Sequence, residues 1–529
     1  METTEQMIIK PIIWTISGSD CSGGAGIAAD IKTGHGLGVE VCHLITANTV
    51  QNSQQLLSVN AVSVALLQQQ VDVLIDDKFP SVIKIGLLAN AEQVQWLAKI
   101  LAQFKQLNPD TLSVYDPVGQ ASVGGSFSTL SLSELTPLLA QVDIITPNIG
   151  EATRLANQST EKMDQAQLAK AIHQVFGITS VVVKGGHSGD LSHSEDYCYH
   201  QLNQLSDAKQ DNQDKTQVSI SYQLTSKRIN SHYSHGGGCS FATALSAFLA
   251  QGYLMRDAFT LAKAFITQGL ASSEQLSKLN GHQYYGAFEQ KGWPKKTNCF
   301  PRVSGDLSDQ NKYLPAFNSL NLADNKLGLY PVIGSLYWLK RLLPLGLEII
   351  QLRIKNADEQ GLAQIIEEAI LLAKPYKTRL FINDYWQLAI KHGAYGVHIG
   401  QEDLQSADLL KIQQAGLRLG ISTHGCYEFL SAQQLQPSYL AIGAIFPTQT
   451  KDMTGQIQGL ENLTQVLALR PEKKQHCIPV VAIGGINLER ASEVLATGVE
   501  SIAVVTAITQ AENPEQAIEQ FTLLIKDSV

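Results

Sequence analysis

The sequence predicts an α/β protein in two parts, a three-layer α/β/α domain followed by a small (β/α)8 barrel. Three observations carry this. The chain has 529 residues, too many for one hydrophobic core, so two or more domains are expected. From residue 12 onward, short β-rich runs alternate with stretches of helical period. That rhythm implies right-handed βαβ crossovers around a mostly parallel sheet covered by helices. After a weakly patterned stretch, the rhythm restarts as eight strand–helix units within about 205 residues.

In the first part, strands are expected at 12–18, 41–48, 82–88, 112–118, 142–147 and 180–184, with helices between them, such as 91–106 and 163–176. Residues 201–219 are rich in Gln, Asn, Asp and Lys, with almost nothing to bury, and are expected to form a solvated insertion. Residues 288–324 mix Lys, Pro, Asn, Ser and Asp without sustained periodicity and are the expected linker. Barrel strands are expected at 327–332, 347–353, 378–383, 395–399, 417–422, 438–445, 478–484 and 500–505. Helices such as 358–373, 405–415, 459–469 and 487–497 follow them. In such a barrel, chemistry sits at the C-terminal ends of the strands.

Composition narrows the function. Hydrophobic residues make up 44% and charged residues 16%, ordinary for a globular protein. A net charge of −9 (39 basic against 48 acidic residues) argues against a nucleic-acid or membrane-surface binder. Seven cysteines, with no Cys-x-x-Cys pair, fit neither a disulfide framework nor a structural zinc site. The start, Met-Glu-Thr-Thr-Glu-Gln, is unlike a signal peptide. No apolar run reaches the roughly 18 residues of a membrane span. The expectation is a cytoplasmic protein acting on small molecules.

Residues 235–240 read His-Gly-Gly-Gly-Cys-Ser and lead into an apolar, helix-like stretch. A glycine-rich turn opening a helix exposes backbone N–H groups to an anion, and the helix dipole adds to the attraction. At that position Cys239 is expected to hold a stabilised thiolate, serving as base or polar anchor. The plainer alternative is a loop-to-helix turn with a small buried cysteine. A second glycine cluster, Ser17 to Gly26, joins the first strand to a helix carrying Asp30. Asn148 and Glu151 follow Pro147, where an amide and a carboxylate either hold hydrated Mg²⁺ or cap a helix.

Together these residues resemble the ribokinase-like superfamily, and within it the hydroxymethylpyrimidine/phosphomethylpyrimidine kinases. The resemblance spans residues 8–287 and is carried by several runs. They are Ser17-Gly18-Ser19-Asp20, Ser22 to Lys32, Thr46-Ala47, Val50-Gln51-Asn52, Lys84 to Leu88, Asp116-Pro117-Val118, Thr146-Pro147-Asn148 with Glu151, Lys184 to His187, and His235 to Cys239. Cys239, where sugar kinases of the superfamily usually carry an aspartate, points to the pyrimidine branch. The resemblance implies that Gly18, Asp30, Gln51 and Val118 contact an aminopyrimidine. It implies that Cys239 is catalytic and, with the Gly236 and Gly238 amides, faces the hydroxymethyl group and the transferred phosphoryl. Asn148, Glu151 and Lys184 would belong to the MgATP site. Three departures stand out. Residues 119–125 read Gly-Gln-Ala-Ser-Val-Gly-Gly, where the family usually has Ala-Lys-Ser/Thr-Gly. Gly237 replaces a threonine, and Leu87 a common methionine. The first two, with a phosphate-facing lysine missing from 119–125, leave open an alternative in which this half binds pyrimidine with weak or no kinase activity.

In the second part, alternation places Gln351, Arg353 and Lys355 on one face at a strand end, two cations suited to a pyrophosphate. Asp384 and Asp403 end neighbouring strands, placed either to share one Mg²⁺ or to cap helices. Ser422-Thr423-His424, Thr448 to Lys451 and Gly484-Gly485-Ile486 complete the ring of strand ends. This series, with Asn383, Gly400 to Asp403, Phe446-Pro447 and Ala482-Ile483, resembles thiamine-phosphate synthase over residues 325–529. Ala503 and Thr506 stand where serines are common. The resemblance implies Mg²⁺ on Asp384 and Asp403. It implies that Gln351, Arg353, Lys355, Asn383, Ser422 and Lys451 hold a pyrimidine pyrophosphate, with Arg353 and Lys451 catalytic. Thr448, Thr450, Gly485, Val505 and Thr506 would hold a thiazole phosphate. The kinase product would be the synthase substrate. The resemblance also implies homodimers through the kinase half.

Overall fold

The computed structural model describes residues 10–52, 55–118, 130–156, 163–186, 192–202, 218–229, 231, 233–279, 288–305, 311, 313–320, 322, 327–355, 358–448, 457–471 and 478–527. They form two compact units, Met1–Gly305 and Asp306–Val529.

The first unit is built on a ten-stranded sheet. Its strands are β1 (Ile12–Asp20), β2 (Glu40–Gln51), β3 (Leu56–Ala61), β4 (Val82–Ile85), β5 (Leu112–Tyr115), β6 (Ile144–Ile145), β7 (Ser180–Val183), β8 (His193–Leu202), β9 (Val218–Lys227) and β10 (Arg302–Ser304). The spatial order is β10-β9-β8-β7-β6-β5-β4-β1-β2-β3. The six central strands, from β7 to β2, run parallel, and the remaining four join antiparallel. The expected strands are the parallel ones. β4 and β7 are buried at every residue, as strands covered on both faces must be. The helix Ala91–Leu107 shows why the covering elements form. The Asn90 side chain caps it by accepting from the Gln93 N–H. Val94, Leu97, Ile100, Leu101 and Phe104 then recur on one face and bury against the sheet core around Trp14 and Ile83.

Two expectations are corrected. The solvated insertion at 201–219 overlaps a hairpin: its first residues end β8 and its last begin β9, while 203–217 lie outside the described residues. The linker at 288–324 is structured at both ends. Phe288 and Cys299 are buried in the first unit and β10 pairs with β9, whereas Phe317 and Leu320 bury in the second. Scattered apolar residues without a period escape a periodicity argument but still find a core.

The second unit is a closed barrel of eight parallel strands. These are β11 (Gly328–Ile333), β12 (Ile349–Leu352), β13 (Arg379–Asn383), β14 (Gly396–Ile399), β15 (Arg418–Thr423), β16 (Tyr439–Ile442), β17 (Val480–Ile483) and β18 (Ser501–Val504). Each neighbours the next, and β18 pairs back onto β11, which closes the ring. Tyr330, Phe381 and Tyr439 fill the interior edge to face, so the barrel is a packed core.

Candidate active sites

In the first unit the two glycine clusters converge at the C-terminal ends of the central strands. The helix Gly237–Ala250 starts earlier than its apolar run suggests, with Gly237, Gly238 and Cys239 in its first turn and Gly236 as N-cap at φ 83°. A Cβ on Gly236 would lie 1.9 Å from the Gly24 carbonyl oxygen, so only glycine lets the two loops touch. A Cβ on Gly238 would lie 3.6 Å from both Asp116 Oδ2 and Lys184 Nζ, which places the turn over an ion pair. Lys184 Nζ donates to Asp116 Oδ1 at 2.8 Å. Burial opposes the Lys184 charge, but Asp116 and Glu151 outweigh it and raise its pKa, so it stays an ammonium.

Below this lies a second, fully buried pair. Lys84 donates to both oxygens of Asp30, at 3.0 and 2.8 Å. Thr243 Oγ1 donates to Asp30 at 2.7 Å, and Thr15 Oγ1 also donates to it. Asp30, which the resemblance places at the pyrimidine, has no exposed surface here and both of its oxygens are engaged. The signal for this was a lysine inside the apolar run Val82-Ile83-Lys84-Ile85, since a buried charge demands a partner.

The expected Cys239 thiolate is also corrected. Burial pushes its thiol up to about 11; Lys84 pulls it down but Asp30 and Asp116 add to the rise. The group is a neutral thiol at neutral pH, because desolvation and two carboxylates outweigh one lysine and a hydrogen bond from the Gly26 N–H. Asn148 and Glu151 form a reciprocal capping box: the Glu151 N–H donates to Asn148 Oδ1 at 2.9 Å and the Asn148 N–H to Glu151 Oε2 at 2.8 Å. Gln51 is buried beside the loop that follows β1, and its Oε1 has no hydrogen-bond partner among the described residues. Gly18 packs on Leu87, and Val118 follows β5. The altered run 119–125 lies outside the described residues.

In the barrel, Gln351 is the penultimate residue of β12 with Arg353 and Lys355 just beyond the strand, and Asn383 closes β13. Asp384 follows at φ 65°, in the left-handed region that few non-glycine residues adopt. It accepts from the Asn383 amide and from the Gly400 backbone. Asp403 sits in the one-turn helix Gln401–Leu404 after β14. Burial first, and then the Asp403 charge, raise the Asp384 carboxyl above its ordinary value, with Arg353 opposing. Two carboxylates that repel in a half-buried mouth suit a divalent cation. Among the described residues no group of three or more His, Cys, Asp or Glu side chains could hold a metal. A pair, with the other positions left to phosphate oxygens and water, is the donor set Mg²⁺ prefers.

Sequence reasoning missed a buried polar chain through the barrel. Gln351 Nε2 donates to the Tyr330 hydroxyl at 3.3 Å, which shares a hydrogen bond of 2.7 Å with the Tyr439 hydroxyl. Tyr439 meets His398 Nδ1 at 2.7 Å, and His398 Nε2 meets Ser422 Oγ at 2.8 Å. Burial, then Arg353 and His424, push the His398 pKa down to about 3, so it is neutral. Gly484 and Gly485 adopt φ 101° and 64° after β17, where a Cβ on Gly485 would lie 2.6 Å from the Pro447 carbonyl oxygen. Arg490 donates to the Gly485 carbonyl at 2.9 Å and stacks over Phe446, tying this turn to the loop carrying Thr448. Val505 and Thr506 follow β18. Thr450 and Lys451 lie outside the described residues.

Comparison with known proteins agrees with both halves. The phosphomethylpyrimidine kinase family model matches residues 20–284, and the thiamine monophosphate synthase model matches residues 329–508. A thiamine-phosphate synthase of Yersinia pestis (strain Pestoides F) is 56% identical over 212 residues, covering 40% of this chain and 95% of that protein. One from Photorhabdus laumondii is 53% identical over 203 residues, covering 38% and 92%. A solved pyridoxal kinase from Staphylococcus aureus, in complex with pyridoxal, aligns at 26% identity and TM-score 0.41, covering 50% of this chain and 88% of that one. The chain therefore belongs to the phosphomethylpyrimidine kinase family in its first half and to the thiamine-phosphate synthase family in its second, a fusion of two enzymes of thiamine biosynthesis.

Proposed function

We propose that this chain makes a pyrimidine pyrophosphate and then consumes it. The first unit transfers the γ-phosphoryl of ATP to hydroxymethylpyrimidine, and a second to the resulting monophosphate, releasing ADP each time. The second unit breaks the C–O bond between the pyrimidine's methylene carbon and pyrophosphate, which leaves, and joins that carbon to the nitrogen of hydroxyethylthiazole phosphate. The observation that carries this reading is the pairing, in one chain, of a glycine turn set over Asp116–Lys184 with a barrel mouth holding Asp384 beside Asp403.

In the first site the N-terminal end of the helix Gly237–Ala250 and the Lys184 ammonium would receive phosphate charge. The neutral Cys239 thiol would donate to, or accept from, the hydroxymethyl oxygen without removing its proton as a thiolate. Gln51, with an unpartnered Oε1, offers the pyrimidine edge an acceptor, and Gly18 and Val118 would flank the ring. Asn148 and Glu151 hold the start of their helix beside Lys184. In the barrel, Arg353, Lys355, Asn383, Ser422 and Lys451 would bind the pyrophosphate. Mg²⁺ on Asp384 and Asp403 would neutralise the leaving group. Gln351 would orient the pyrimidine, and Thr448, Thr450, Gly485, Val505 and Thr506 would seat the thiazole phosphate. The bond breaks because preorganised positive charge stabilises the departing anion. We place the enzyme in the cytoplasm, where ATP is available. The free cysteines among the described residues agree with that, and none of those residues forms a helix long and apolar enough to cross a membrane.

One assay tests this. The purified chain is given hydroxymethylpyrimidine, MgATP and the thiazole phosphate, and products are followed by mass spectrometry. Thiamine phosphate is expected. Untouched pyrimidine would overturn the kinase assignment, and accumulated pyrimidine pyrophosphate the synthase assignment. Faster phosphorylation of pyridoxal in competition would overturn the substrate assignment.

A further inference from the structure

We propose that Asp20 and His235 are positioning residues of the first site, locking the loop Ser22–Gly26 to the glycine turn Gly236–Gly238 so that acceptor and donor stay in register. This rests on the kinase reading above. Asp20 is almost fully enclosed and collects hydrogen bonds from both sides. Its Oδ1 accepts from the Ser22 N–H at 2.8 Å and the Ser22 hydroxyl at 2.7 Å. Its Oδ2 accepts from the Gly24 and Ala25 N–H groups at 3.1 and 2.9 Å. The Gln51 side chain also bonds to this carboxylate. From the far end of the unit, His235 Nε2 meets the same Oδ2 at 2.8 Å.

The backbones interlock around this contact. A Cβ on Gly24 would lie 2.3 Å from His235 Cδ2, and one on Gly236 would meet the Gly24 carbonyl. Next in line, the Gly26 N–H bonds to Cys239. One carboxylate thus touches the loop beneath the acceptor, the amide expected to read the pyrimidine edge, and the residue that starts the phosphate-facing turn. Burial would push the Asp20 carboxyl up, but the bonds from His235, Gln51 and Ser22 outweigh it and hold it well below the usual carboxylate range. A buried, charged acceptor bonded all round is costly to rearrange, so the loops it joins move together. The other ring nitrogen, His235 Nδ1, is buried without a hydrogen-bond partner among the described residues, where Asp20 anchors the imidazole.

The test uses the full chain carrying His235→Ala, His235→Gln, Asp20→Asn or the double change Asp20→Asn with His235→Ala. Kinase kcat and pyrimidine KM are measured beside backbone hydrogen exchange at residues 22–26. Coupling from supplied pyrimidine pyrophosphate serves as the control for the barrel. His235→Ala should speed exchange at 22–26, in a segment far away in sequence, and lower kcat by about tenfold to a hundredfold. His235→Gln, which keeps a donor at the same reach, should restore both, and the double variant should be no worse than the worse single one. Unchanged exchange, faster exchange with unchanged kcat, or fully additive losses would overturn the proposal. A wild-type chain that phosphorylates no pyrimidine would overturn the kinase reading instead, and exchange at 22–26 would then decide whether the pair ties the loops.

Discussion

Cys239 shows how a local rule yields to its surroundings. A helix N-terminus stabilises a thiolate, yet burial beside Asp30 and Asp116 keeps this thiol protonated up to about pH 11. Iodoacetamide should therefore label Cys239 slowly at neutral pH, about tenfold faster per unit up to about 11. A pH-independent rate, read by peptide mass spectrometry, would mean the thiolate is already formed. At the barrel mouth, burial first and the Asp403 charge second disfavour the Asp384 carboxylate. Asp384→Asn should raise the melting temperature of the metal-free chain's barrel transition at neutral pH. It should also lower coupling activity by about a hundredfold or more. A lower melting temperature would show that the two charges do not strain the fold. The neighbouring positions of Asp384 and Asp403 were legible in the sequence, but the neutral Cys239 was not, because it depends on burial and on which charges lie beside the thiol after folding.

Among elements, those with a clear period were legible. The helices Ala91–Leu107, Gln165–Phe176 and Glu359–Ala373 carry apolar stripes and side-chain caps, and all stand close to where periodicity put them. The antiparallel strands β3, β8, β9 and β10 were missed. Exposed or edge positions such as those of β3 carry polar residues that hide the alternation. Glycine turns were legible as turns, but the sequence did not say what they touch. Gly236→Ala would strain a left-handed residue and clash with the Gly24 carbonyl. Destabilisation of the first unit by about 1–3 kcal/mol is expected, measured by thermal unfolding. Asn148→Ala should cost about 1 kcal/mol through loss of its cap. If Asn148 serves only as a cap, Asn148→Asp should keep both stability and the KM for ATP. A raised KM with normal stability would instead assign the amide to the nucleotide.

For the whole molecule, the two cores fall on either side of residue 305, one on an open ten-stranded sheet and the other in a closed barrel. Residues 1–305 and 306–529, expressed separately, should each fold and retain its half-reaction within about tenfold, read by the same mass-spectrometric assay. Loss of either activity in a folded half would mean that the site borrows residues from the other.

The sequence by itself determined the fold class of both halves, the families and the runs proposed to build the sites. Strand–helix rhythm and glycine turns are local properties, written in adjacent residues. Only the tertiary structure decided that Asp30 pairs with Lys84, that Cys239 is neutral, and that Asp20 joins His235 across the unit. Those outcomes depend on burial and on charges brought together from distant positions, and distance in space is not written in a sequence until the chain has folded.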